Sequence, residues 1–416
     1  MQKKLSAKQL QILVLVVLVG IALILRTPLF SAVPASPYWE ETILGVDANA
    51  LAQTGKDHHG TAWPILALES FGDWKPAGYV YAALPFVKVF GLELWVIRLP
   101  SLLAGLAIVG AVAVLGKRLG VPWWAGALIV AVAPWAIHFS RAAWEAHLAT
   151  ALIAWAVIFA LHSFQPKKIA IIPALASAVL FIIAWYTYHS ARIVVPLLGI
   201  GVLVYLFSTL TESVRVSRES SLLSIQKYLK SSWLTVALCC AVLVLGTIPI
   251  WMSGDTNALT HRFAETGRFS DPSVVLASNS LKEMADNSIL SRLIYHRYVL
   301  WSSELMTAYL DHFSPTFLFL TGEENIRHTT GFFGLFYPFE LIFLLIGLYV
   351  WLLQRKPLQL LLLYWLGISI IPAALATPTP HALRILIGLP VFALLITQGF
   401  AQTLSWQSRS IALHAP

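Results

Sequence analysis

The sequence predicts an all-α integral membrane protein with about ten transmembrane helices, and three observations lead there. Hydrophobic residues make up 58% of the chain and charged residues only 12%, about half the ~25% of a soluble protein. The apolar residues gather into runs long enough for a ~30 Å hydrocarbon core. The loops between those runs alternate in charge, with one set basic and almost free of acids.

Taken in order, the runs lie at 10–26, 99–116, 122–138, 142–162, 168–187, 191–209, 232–251, 335–353, 357–376 and 382–403. The first follows Lys3, Lys4 and Lys8 and ends in Thr27-Pro28 without a small-residue cleavage site, which reads as a retained anchor rather than a cleaved signal. The apolar stretch 77–91 is different. Its length reaches only roughly 22 Å as a helix, and Pro85 and Lys88 interrupt it. If it does not cross, one set of loops holds Lys3, Lys4, Lys8, Lys117, Arg118, Lys167, Lys168, Arg215, Arg218, Lys227, Lys230, Arg355, Lys356 and Arg409. That is half of the chain's 28 Lys and Arg residues, against only Glu212 and Glu219 of its 20 acids. Such asymmetry predicts that set to be cytoplasmic and makes 77–91 a juxtamembrane helix on the outer face. The formal charge of +8 then needs no nucleic acid, and no basic run suggests one. Cys239 and Cys240 are adjacent inside an apolar run, with neither a disulfide nor a metal spacing. The expected organisation is one polytopic domain over 1–416, with a first outer loop at 27–98 and a large outer loop at 252–334. Tyr298, Trp301, Tyr309 and Phe313 make the large loop too aromatic for a disordered linker, so short helices over the membrane surface are expected.

With that topology every conspicuous polar cluster falls on the outer side. The first loop, Tyr38 to Lys75, carries Glu40, Glu41, Asp47, Asp57, His58, His59, Glu69, Asp73 and Lys75; so many ionisable groups between spans point to binding or chemistry. Glu40-Glu41 offers a carboxylate near the bilayer surface as general base, or a solvated pair at a helix start, where acids favour the first turn. Lys75 stands before Pro76, which can open the juxtamembrane helix; it can hold a lipid phosphate or simply snorkel. Arg141 and Glu145 are spaced i, i+4 and predict one helical face. His189 and Arg192 flank the next outer turn, Arg327-His328 lie in the large loop, and His381 and Arg384 flank the last turn. Singly each is an ordinary interfacial anchor. Together, guanidinium forks on one side of a bilayer match phosphate geometry. Asp57-His58-His59 offers ligands to a divalent metal, or is a polar loop; a metal is the one cofactor the sequence leaves open.

These residues carry a resemblance. The segments YWEE, TGKDHHG, SFGDWKPAGYVYAALPFVKVFG, RLPS (98–101), HFSRAAWEAHLA, YHSAR, YLDHFSP (309–315), RHTTGFFG and PHALR together resemble bacterial C-type (GT-C) glycosyltransferases, the relatives of protein O-mannosyltransferases and lipid A aminoarabinose transferases. The similarity runs over nearly the whole chain in the same motif order. It implies a GT-C fold and inverting transfer of a sugar from a polyprenyl-phosphate donor on the extracytoplasmic face. The family's first-loop acidic pair looks like Glu40-Glu41, and its Lys-Pro element like Lys75-Pro76. Relatives commonly place Asp where this chain has Glu40.

The expected activity is therefore an inverting, membrane-embedded glycosyltransferase. Glu40 and Glu41 are its candidate catalytic residues, and Lys75, Arg192, Arg327 and Arg384 would bind the donor phosphate. Asp57, His58, Asp73, Arg141, Glu145, His189, His328 and His381 are further candidates for the substrate site. The acceptor hydroxyl belongs to a protein, a lipid or a glycan. The competing readings are a secondary transporter or lipid flippase, which would bury charge at mid-membrane in an inverted repeat, and a polyprenyl-lipid binding protein without turnover.

Overall fold

The computed structural model describes residues 6–165, 168–216, 221–253 and 266–414. Lys3, Lys4, Lys167, Arg218 and Glu219 of the loop-charge argument, and residues 254–265 of the large loop, lie outside them. Each predicted apolar run forms a helix, one of them broken. Helix α1 (Ala7–Arg26) opens on a reciprocal cap, in which Ser6 Oγ accepts from the Gln9 amide and Gln9 Oε1 from the Ser6 amide. After α2 (Trp39–Thr54) comes a hairpin of β1 (Leu68–Ser70) and β2 (Asp73–Lys75), then α3 (Gly78–Phe90) and α4 (Leu94–Leu119). Next come α5 (Trp123–Val132), α6 (Pro134–Ser140) and α7 (Glu145–Ser163). A short antiparallel pair, β3 (Phe164–Gln165) with β4 (Lys168–Ile169), leads to α8 (Ile171–Trp185), α9 (Ala191–Val216) and α10 (Ser221–Ser253). The large loop carries α11 (Ser273–Met284), α12 (Ile289–Ile294) and α13 (Arg297–Asp311), the short helices its composition predicts. The chain closes with α14 (Glu340–Gln354), α15 (Pro357–Ala374) and α16 (Leu389–His414).

Among the described residues, seven helices are long and apolar enough to cross a membrane, and eight if the bent pair α5–α6 is one span. The remaining two predicted spans, α8 and α14, have 15 residues each and reach only about 22 Å. The chain is a multi-pass membrane protein.

The run expected to be one span at 122–138 bends by 61° between α5 and α6. The cause is Pro134: the residue before a proline is pushed out of the helical region, and Ala133 adopts φ −57°, ψ 128°. The break frees carbonyls that apolar surroundings cannot satisfy. Arg26, fully buried at the end of α1, supplies the donors, reaching Ala131 O at 2.7 Å and Val130 O at 3.1 Å, with its Nε on Ser140 Oγ at 3.0 Å.

Two apolar clusters divide the structure. The larger, around Trp135, Trp351, Trp365, Phe336 and Phe392, lies between the long helices. The smaller joins Leu44, Ala48 and Leu51 of α2 to Tyr79, Val80, Ala83 and Val87 of α3 and to Val96 and Ile97 of α4. Spacing of i, i+4, i+7 puts the α2 residues on one face. That face seats α2 on the end of the bundle, with its first turn toward the centre. At the other side α14 and α16 cross at backbone contact: a Cβ on Gly347 would collide with the Leu395 carbonyl, and one on Gly399 with the Phe343 carbonyl. Small residues at such crossings let membrane helices approach closely.

Candidate active site

The first turn of α2 separates its two glutamates. Glu41 points inward and is fully buried against Arg98 of α4, which donates through Nε to Oε1 at 2.8 Å and through Nη2 to Oε2 at 3.0 Å. The Ala143 amide donates to the same Oε1 at 2.9 Å, and Arg98 also reaches the Phe30 carbonyl at 2.7 Å. Glu41 thus ties α2 to α4, to the chain before α2 and to the α6–α7 connection. It faces no cavity. Glu40, one residue and ~100° away on the helix, has a side chain 20% exposed. Lys75 Nζ lies 3.3 Å from its Oε1 and Arg327 Nη1 3.5 Å from its Oε2.

Lys75 is delivered by the hairpin, which an all-helical expectation passed over. Phe71 and Gly72 form its two-residue turn, with φ +54° and +75°, the pair of positive values that tight hairpins require. The register pairs Leu68 with Lys75 and Ser70 with Asp73. Asp73 and Lys75, two apart, share one strand face, and Asp73 Oδ2 lies 3.5 Å from Lys75 Nζ. Arg327 is set by its own loop: Asn325 Oδ1 accepts from its backbone amide at 3.1 Å, His138 Nε2 lies 2.7 Å from its carbonyl oxygen, and its guanidinium stacks 4.4 Å from the Trp39 ring.

Glu40 and Lys75 line a cavity of about 200 Å³ with Glu145, His189, Arg192, His381 and Arg384. Trp144 and Tyr188 supply aromatic wall; Tyr38 stacks on Trp144 at 4.4 Å and donates its hydroxyl to the Ala143 carbonyl. His189 Nε2 is 2.9 Å from the Trp74 carbonyl oxygen, which joins the hairpin to the turn before α9. Arg192 Nη2 reaches Leu66 O at 3.4 Å, while its buried Nη1 has no hydrogen-bond partner among the described residues. Arg384 Nη1 reaches Thr377 O at 3.0 Å. One lysine and two arginines thus border a pocket holding two carboxylates, an arrangement suited to an anion beside a base.

Other candidates fall elsewhere. Asp47 Oδ1 is 2.6 Å from His58 Nδ1 and also accepts the His58 amide at 3.1 Å. Asp57 Oδ1 accepts the amides of His59 at 3.0 Å and Thr61 at 2.7 Å. These are turn-fastening contacts, and neither residue lines the cavity. The expected single helical face for Arg141 and Glu145 is corrected: Arg141 caps α6 and Glu145 begins α7. The Ala143 amide is taken by Glu41 and the Trp144 amide by Ser101 Oγ at 3.0 Å, so the helical ladder stops between them. Arg141 instead donates to the Arg26 carbonyl at 2.9 Å and the Pro28 carbonyl at 2.6 Å. His328 is buried beside Glu323 and His381, with Nδ1 2.8 Å from Glu323 Oε1.

The sequence reading missed Arg98, Glu323 and His312. The RLPS tetrapeptide and the two acids ahead of Arg327-His328 were the available signals. His312 is fully buried: its Nδ1 donates to Ala308 O at 2.7 Å, and its Nε2 accepts the His381 amide at 3.1 Å. The second of these bonds needs the neutral ring, because a protonated Nε2 cannot accept. Burial lowers its pKa from 6.5 to about 4. Between those values the unfolded chain binds the extra proton, so this stabilisation is complete above pH 6.5 and drains as pH falls toward about 4. Melting curves from pH 7 to pH 4 should lose stability faster in the native protein than in His312→Gln. Parallel curves would refute the neutral-ring assignment.

No protein-family model and no curated protein matches the chain. Among solved structures, ArnT from Cupriavidus metallidurans in the apo state is similar over 98% of this chain, with a TM-score of 0.54 and 14% identity. The undecaprenyl phosphate-bound ArnT gives a TM-score of 0.53, also at 14% identity. The archaeal oligosaccharyltransferase AglB from Archaeoglobus fulgidus, in complex with an inhibitory peptide and a dolichol-phosphate, gives 0.53 at 14% identity over 98% of this chain. The chain covers 62% of the apo ArnT chain, 63% of the undecaprenyl phosphate-bound one and 52% of the AglB chain. The chain shares the fold of ArnT and AglB.

Proposed function

We propose that this chain is an inverting glycosyltransferase of the GT-C kind that moves a sugar from a polyprenyl-phosphate donor to an acceptor hydroxyl on the extracytoplasmic face. The observation that carries the reading is Glu40 held between Lys75 and Arg327 beside the cavity that Arg192 and Arg384 border. Undecaprenyl phosphate in ArnT and dolichol-phosphate in AglB support a lipid-phosphate ligand. In this reading Lys75, Arg192 and Arg384 receive the donor phosphate in the cavity, with Arg327 at its rim. The acceptor oxygen attacks the anomeric carbon from the face opposite the phosphate, while its proton passes to Glu40. The bond from that carbon to the phosphate oxygen breaks, its electrons leave with the polyprenyl phosphate, and the configuration inverts. The cations meet the charge developing on the leaving group, so no separate acid is required. Incubating purified protein with a panel of polyprenyl-phosphate sugars and an acceptor mixture should release polyprenyl phosphate, detected by mass spectrometry. Binding without release across the panel would leave a lipid-binding protein.

Phosphate binding has its own test. Lys75→Ala and Arg384→Ala should each weaken donor binding by about 1.5–3 kcal/mol, the worth of a charge-assisted contact. Native-like affinity in both variants would remove these residues from the site.

The reading also places both termini in the cytoplasm and the loops 27–98 and 252–334 outside. Single cysteines at Ser280 and at Ser217 (the latter outside the described residues), in a background lacking Cys239 and Cys240, should label from opposite faces of the membrane. Labelling of both from one face would overturn the topology.

A further inference from the structure

Glu323, His328 and His381 come from two separate stretches of chain and converge in the interior. All three are buried, and their ligand-capable atoms lie within 4.8 Å of one another. The Nδ1 atoms of both histidines approach one carboxylate, His328 at 2.8 Å from Oε1 and His381 at 3.5 Å from Oε2. We infer that these residues form a site for one divalent cation of the zinc type, bound through the two imidazole nitrogens and the Glu323 carboxylate with a position left for water.

Charge supports a cation here. A buried carboxylate needs compensation, yet among the described residues no Lys or Arg forms an ion pair with Glu323. Its other contact is the Ala382 amide, which donates to Oε2 at 2.7 Å. The donor set suggests which cation. Two imidazole nitrogens and one carboxylate oxygen suit zinc and its first-row neighbours, whereas calcium and magnesium prefer oxygen ligands throughout. Such sites also need outer hydrogen bonds that hold the ligands in place. Here the Ala382 amide steadies Glu323, and His312 receives the His381 backbone amide at 3.1 Å.

The ion would fasten the stretch around Arg327 to the stretch around Arg384. Arg327 directly precedes one ligand, and Arg384 follows the other by three residues. It is a positioning centre for the arginine wall, with His381 reaching the edge of the cavity. Metal content is read without donor or turnover, so the inference stands or falls separately from the transferase reading.

Purified full-length protein would be stripped with chelator, dialysed against zinc chloride alone, and assayed for bound metal by elemental analysis. The expected result is one zinc per chain in the native protein and in a His58→Ala/His59→Ala control, with binding at least ~10-fold weaker in Glu323→Gln and His328→Gln. If those variants fail to fold, cobalt replacing zinc in the native protein decides, through the visible absorption of a low-coordinate nitrogen–oxygen site. Native protein that holds no more zinc than Glu323→Gln, or that shows no such cobalt spectrum, would leave a hydrogen-bonded triad and overturn the proposal.

Discussion

Glu40→Gln should lower turnover by ~100-fold or more while leaving donor affinity within a small factor of native. The substitution keeps the shape of the side chain and removes its capacity to accept a proton in the transition state, the contribution expected of a general base. It also removes the carboxylate charge now shared by Lys75 at 3.3 Å and Arg327 at 3.5 Å, which frees both cations for phosphate, so donor binding should hold or tighten. Steady-state release of polyprenyl phosphate, measured alongside equilibrium donor binding, separates the two effects. Near-native turnover by a folded Glu40→Gln protein would shift the base to Glu145, the second carboxylate lining the cavity. Glu41→Gln should act through folding instead, because Glu41 lies outside the cavity.

Arg98→Met should be the most destabilising of these substitutions. It leaves the Glu41 carboxylate in the interior without its guanidinium, and breaking one side of a buried ion pair costs about 3–5 kcal/mol. The Arg98 bond to the Phe30 carbonyl is lost as well. The double variant Arg98→Met/Glu41→Gln removes the stranded charge while keeping an oxygen for the Ala143 amide, and should recover part of the loss. Yield and thermal midpoint of the two proteins in the same detergent measure the difference. A single variant as stable as native, or a double variant no better than the single, would contradict the ion-pair account.

The contrast between these two glutamates shows what a linear sequence carries. Each apolar run became a helix because run length and composition are local properties, and Glu40 was legible as a carboxylate beside an interface. The partners were not. Arg98 lies 57 residues from Glu41 inside an apolar helix, and no spacing rule links the two. The α5–α6 break was half legible, since Pro134 sits within its run, but the compensating Arg26 is more than a hundred residues away. The hairpin that presents Lys75 has strands of three residues, too short for any periodicity to register. The Arg141–Glu145 spacing misled because helix continuity was assumed where two backbone amides had partners from other elements.

The crossing of α14 and α16 at Gly347 and Gly399 has a mechanical consequence. Backbones in contact at these two points leave little side-chain layer to shear, so we expect the two helices to move together as a lever. The loop with Arg327 runs into the start of α14, and the turn with Arg384 runs into α16, so both arginines ride on that lever. Lys75 and Glu40 stand on a seat built by α2, α3 and the hairpin, which packs on α4. We expect an opening of the cavity that parts Arg327 from Glu40 to move the two helices together.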